Sequence, residues 1–170
     1  VVLPNDKDSL AVAEAAAAQA REEGRRVAVI PTRASVQAIA ALAVHDPERR
    51  FDEDVLAMSA AAGHCRHGGV TIAAKQAMTM AGVCAPGDVL GIVDGDFVLI
   101  GAEPAAVACQ VTERLLGGGG ELVTLVTGAD DAAVGLADAV VGQLRRTHPE
   151  VDAHVFEGGQ SRYPLLIGVE

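Results

Sequence analysis

His64-Cys65-Arg66-His67 places two imidazoles and a thiol within four consecutive positions. Histidine titrates near neutrality and can act as a general base or phosphate acceptor, so His64 and His67 are candidate catalytic groups. With Cys65 they are also candidate metal ligands. A zinc site, however, takes three or four converging ligands, typically in pairs two to four residues apart. His45, Cys84, Cys109, His148 and His154 are scattered along the chain and supply no second pair. The cluster reads as incidental, with no metal and no catalytic residue assigned.

Other motifs invite chemistry and resist it. Gly117-Gly118-Gly119-Gly120 has the composition of a phosphate loop, but such a loop follows a strand and opens a helix. Here the order is reversed and Glu121 follows, so the run reads as a flexible connection. Asp94-Gly95-Asp96 offers two carboxylates for Mg²⁺, yet its apolar flanks predict a hairpin turn. No Gly-x-Ser-x-Gly elbow is present. Gly158, Gly159, Gln160 and Tyr163 form a last group: two permissive glycines, an amide that donates and accepts, and the only tyrosine. They read as a recognition surface or as a plain strand connection.

Composition narrows the classes. Thirteen Lys+Arg against 23 Asp+Glu give a net charge of −10, and aromatics are limited to Phe51, Phe97, Phe156 and Tyr163. Such a chain repels phosphate backbones and lacks platforms for stacking bases, which argues against nucleic acid. No apolar run approaches the ~20 residues of a membrane span. Three separated cysteines suit a reducing compartment, so a cytoplasmic location is expected. The 170 residues suit a single α/β domain, 1–170. Because they open on the apolar Val1-Val2-Leu3-Pro4, a piece of a longer multidomain chain is expected.

The elements that must position these groups follow from periodicity. Short β-branched runs at 1–4, 26–31, 121–127, 151–156 and 164–169 alternate with Ala-rich helical patterns at 9–23, 34–45, 52–62, 104–116 and 130–147. Gly24 is expected to cap the first helix. Asp52 is expected to cap the third, with Phe51 and Leu56 as a staple and Gly63 closing it; Asp130 or Asp131 should cap the fifth. The predicted fold is α/β: a mixed sheet flanked by Ala-rich helices, with an inserted antiparallel meander at about 70–101. An internal echo stands out. Val-Leu-Pro at 2–4 and Val-Ile-Pro at 29–31 each lead through a polar loop with one cation into an Ala-rich helix. Parallel neighbours would bring Asn5, Lys7, Thr32, Arg33 and Gln37 to one carboxyl edge, where ligands of open α/β sheets bind. The plainer alternative has Ser9 and Ser35 capping the helices and both cations solvated.

These blocks, with Gly87-Asp88, Gly91-Ile92-Val93-Asp94-Gly95, Tyr163-Pro164 and Val169-Glu170, occur in an order that resembles the C-terminal domain of the fatty acid kinase ATP-binding subunit. That subunit is of the dihydroxyacetone kinase-like family, and the domain carries the label Dak phosphatase-like. Ala38 and Ser161-Arg162 depart from the usual Gly and Pro-Leu. The resemblance implies a domain with no cofactor of its own and Mg-ATP bound in an N-terminal domain. It implies a separate fatty-acid-binding protein as partner, alongside other domains of the same chain and a homodimer of the full-length protein. Asn5, Lys7, Thr32, Arg33, Gln37, Gly158, Gly159, Gln160 and Tyr163 are the expected partner surface for acyl-phosphate formation. The alternative is a hydrolase or phosphotransferase using His64 or His67, with metal assistance. A third reading is a domain that mainly stabilises or dimerises the chain.

Overall fold

The computed structural model describes residues 1–129 and 132–170 and divides into two compact units, Val1–Cys65 and Arg66–Glu170.

In the first unit Val2 and Val29 form one parallel bridge, held by Val2 N–H to the Ala28 carbonyl at 2.8 Å and Ile30 N–H to the Val2 carbonyl at 3.0 Å. The strands predicted at 1–4 and 26–31 reduce to this rung, because Pro4 and Pro31 lack the N–H that would extend a ladder. Helix α1 (Leu10–Glu22) is built on alanine and ends as expected: Gly24 has φ +80°, and Arg25 N–H reaches back to the Ala20 carbonyl at 2.9 Å. Helices α2 (Ser35–Ala43) and α3 (Phe51–His64) follow. Arg50, not Asp52, occupies the cap position of α3. Asp52 lies within the first turn, where its charge suits the helix dipole, and pairs with Arg26 at 3.4 Å. The Arg26 guanidinium also covers the Phe51 ring, 4.7 Å from its centroid. Leu56 is 72% exposed, so no staple forms, and Gly63 stays inside the helix. Ile30, Ala41, Met58 and Ala62 make the core.

The second unit is a six-stranded mixed sheet. Its strands are β1 (Arg66–Ile72), β4 (Val89–Val93), β5 (Asp96–Gly101), β6 (Leu122–Thr127), β7 (Asp152–Glu157) and β8 (Leu165–Val169), in the order β5-β4-β1-β8-β6-β7. Only β6 and β7 run parallel; every other neighbour is antiparallel. Helices α4 (Pro104–Leu116) and α5 (Ala132–Thr147) complete it. The antiparallel segment expected at 70–101 is present, but β1, β4 and β5 continue the main sheet. Only the hairpin β2 (Ala77–Thr79) and β3 (Gly82–Cys84) stands apart. Asp94 and Gly95 both have positive φ, +51° and +94°, as a type I′ turn requires. The caps proposed at Asp130 and Asp131 lie outside the described residues.

Glycines in the strands set the depth at which α4 sits. A Cβ on Gly68 would lie 2.8 Å from Val111 Cγ1, on Gly91 2.8 Å from Val111 Cγ2, and on Gly101 2.6 Å from Val107 Cγ2. The helix thus rests on bare backbone, and Val111 and Leu115 reach a core shared with Val70, Leu125, Leu165 and Ile167. Among the described residues no helix is long and apolar enough to cross a membrane.

Candidate functional site

The parallel bridge makes the echoed segments leave the first unit on the same side, and a side-chain bond ties their loops together. Thr32 is 1% exposed, and its hydroxyl accepts the Asn5 N–H at 3.0 Å. Asn5 takes φ +60° to make that contact, a conformation asparagine tolerates better than most residues. Asn5 Oδ1 is buried without a hydrogen-bond partner. Lys7 and Arg33 are exposed. Neither serine caps its helix with its side chain. The Ser9 hydroxyl donates to the Asp6 carboxylate at 2.9 Å, and Ser35 is the first helical residue, after Ala34 at the cap.

Gln37 has a different role from its loop neighbours. Its Oε1 accepts the Arg33 N–H at 2.8 Å, while its Nε2 donates to the Ala62 and Cys65 carbonyls at 3.3 and 3.1 Å. One side chain therefore fixes the Arg33 backbone and satisfies carbonyls at the end of α3 that the helix leaves open.

In the second unit Gly158 and Gly159 donate N–H to the Thr127 carbonyl at 2.9 and 3.1 Å. Gln160 Nε2 bonds the Val126 and Tyr163 carbonyls, both at 3.0 Å. Ala129 N–H returns to the Gln160 carbonyl at 3.1 Å. A Cβ on Gly158 would overlap Gln160 Oε1 and Val126, and Gly159 has φ +66°, so both glycines are required by the turn. Gln160 is the strut of this loop. Gly158, Gly159 and Arg162 form its exposed rim, and Tyr163 is half-buried beside it.

His64 is exposed at the end of α3, Cys65 is 2% exposed, and His67 is 7% exposed on β1. Among the described residues no three His, Cys, Asp or Glu side chains converge to hold a metal ion. Arg66 donates its guanidinium to the Leu115 and Gly119 carbonyls. The glycine run therefore lets the end of α4 fold over a cation and holds no phosphate.

Two polar clasps escaped the sequence reading. Asp54, 5% exposed, accepts from Asp46 N–H at 3.0 Å, lies 2.6 Å from His45 Nδ1 and meets Arg49 at 3.3 Å. The Asp46 backbone bond, with lesser help from His45 and Arg49, holds its carboxyl below the usual range against the opposing effect of burial. Glu113 on α4 meets His148 at 2.9 Å and Gln143 at 2.7 Å. The His148 and Gln143 bonds lower the Glu113 carboxyl, and the Glu113 bond raises His148. The close run Asp46…Arg49…Asp54 is the one signal that pointed to the first clasp.

The model of the FakA-like C-terminal family, the C-terminal part of fatty acid kinase proteins of this type, matches residues 1–170, and the chain belongs to that family. Uncharacterized proteins of Staphylococcus aureus strains are 25% identical over 170 residues, covering all of this chain and 30% of their own length. The chain thus spans less than a third of the relatives it matches. Among solved structures, the Streptococcus pneumoniae fatty acid kinase B3 protein loaded with linoleic acid is similar at TM-score 0.65 and 12% identity, over 95% of this chain and 66% of its own. A DegV family protein from Eubacterium eligens loaded with heptadecanoic acid gives TM-score 0.64 and 14% identity, over 99% and 70%. The fold is of this type.

Proposed function

We propose, from this family membership, that the domain docks a fatty-acid-binding partner protein for a kinase that forms acyl phosphates. The single observation that supports the reading most is the tied pair of loops. Asn5 and Thr32 fix each other, and Lys7 and Arg33 project from loops so fixed, as exposed cations on a chain of net charge −10. Cations held on rigid loops steer and register an acidic partner surface with little entropy lost on binding. Gln37 and Gln160 act as positioning residues, while Gly158, Gly159 and Tyr163 offer a second contact rim. On this reading Mg-ATP is bound elsewhere in the longer protein, in the cytoplasm, and other domains of the same chain or a homodimer complete the assembly. The test is capture of a fatty-acid-loaded partner protein by this chain, compared with Lys7→Ala/Arg33→Ala. Capture weakened roughly tenfold in the double variant is expected. Failure of the unaltered chain to capture any such partner sinks the docking role, and equal capture by both chains removes the two cations from it.

A further inference from the structure

Strand β7 lies at one end of the sheet, paired through six consecutive rungs to β6. Its other edge pairs with no strand among the described residues. Asp152 N–H goes to the Glu121 carbonyl and Gly158 N–H to that of Thr127. In the alternation of a parallel ladder, the even-numbered residues of β7 therefore turn their backbone groups to β6. Ala153, Val155 and Glu157 turn theirs outward. Edge strands of soluble proteins are usually guarded by Lys, Pro or a bulge. Asp152-Ala153-His154-Val155-Phe156-Glu157 has none of these, and Val155 and Phe156 are 49% and 45% exposed.

Beside the edge is a cleft of about 320 Å³ between α5 and β7, lined by Val141, Leu144, Arg145, Val151 and Ala153. Ala153 and Val155 lie on the same face of the strand, so an added strand would lay alternate side chains toward that cleft. An open edge bordered by a helix and an apolar cleft is the arrangement used to bind peptides by strand addition.

Charge selects the occupant. Exposed Asp152 and Glu157 bracket the strand, with Glu150 just before it. Two copies paired antiparallel about their midpoint would set Asp152 against Glu157, and a parallel pair would set each acid against itself. Like charges directly opposite destabilise a ladder. We infer that β7 accepts an extended segment of a partner protein that is apolar at its centre and carries Lys or Arg at both ends.

The probe is the fluorescent peptide Lys-Val-Thr-Val-Thr-Lys, titrated against the 170-residue chain by anisotropy. Saturable binding is expected. It should weaken at least about tenfold when alternate peptide amides are N-methylated, and similarly in Asp152→Lys/Glu157→Lys. Arg33→Ala should leave it unchanged, which separates this edge from the loop surface. The N-methylated peptide keeps its charge and needs no altered protein, so its equal binding would reduce the effect to charge attraction and overturn the proposal. Absence of binding would do the same. A Val155→Cys chain that cross-links to itself would assign the edge to a second copy, against the proposal.

Discussion

In Val1–Cys65 the core gathers around Ile30, Ala41, Met58 and Ala62, whereas Arg66–Glu170 buries a continuous run of branched side chains from Val70 to Val169. Burial stabilises in proportion to apolar area, so alanine contributes little where leucine contributes much. The first unit adds polar clasps: Asp54 gathers the chain between α2 and α3, and Gln37 joins the start of one helix to the end of the other. The second unit relies on packing so close that strand glycines are needed beneath α4. The cationic loops therefore stand on the unit with less apolar stabilisation, where a few directional bonds hold their shape.

The contrast is tested most strongly by Leu125→Ala against Ala41→Gly, followed by urea unfolding. The first removes fully buried bulk and should cost about 2–5 kcal/mol. The second should cost about 1 kcal/mol, the glycine penalty within a helix. Equal losses would erase the contrast between the units. Gly91→Ala comes next. Its new methyl would meet Val111, Leu99 and Val107 at 2.8–3.0 Å, and overpacking of this kind costs about 1–3 kcal/mol. An unchanged midpoint would mean that α4 is not seated on the glycines.

The smallest effects separate the clasps by pH. Asp54 and Glu113 are both lowered, so each contributes stability above the ordinary carboxylate range and loses it as pH falls through its folded value. His148 is raised, so its contribution is complete below the ordinary histidine value and fades as pH rises through its folded value. The difference in unfolding midpoint between the unaltered chain and Asp54→Asn should shrink on acidification. For Glu113→Gln it should shrink on both sides, leaving a maximum between the two titrations. A flat difference for Glu113→Gln would remove His148 from that clasp.

Local signals carried much of this fold. Pro104 and the glycine run bound α4 at both ends, Gly24 stops α1, and Asp94-Gly95 makes the predicted turn. Elements defined by distant partners were less legible. Val2 and Val29 looked like two strands, and the prolines that follow leave one bridge. Gln37 and Gln160 were visible as polar groups in the right loops, but their work as struts depends on carbonyls 25 to 34 residues away. Asp54 looked like one more acid in the first turn of a helix, since nothing in its neighbourhood marks it as buried. The pairing of the echoed loops was readable because the repeat is itself local in form.

Strand β8 is the last element of its unit in chain order and lies between β1 and β6. The halves β5-β4-β1 and β6-β7 have no rung in common, so nothing joins them into one sheet until Leu165–Val169 has left the ribosome. Emerging domains generally fold as whole units, and here the closing piece arrives last. For that interval both inner strand edges stand open, which makes the seconds of synthesis the period when this unit most needs a chaperone.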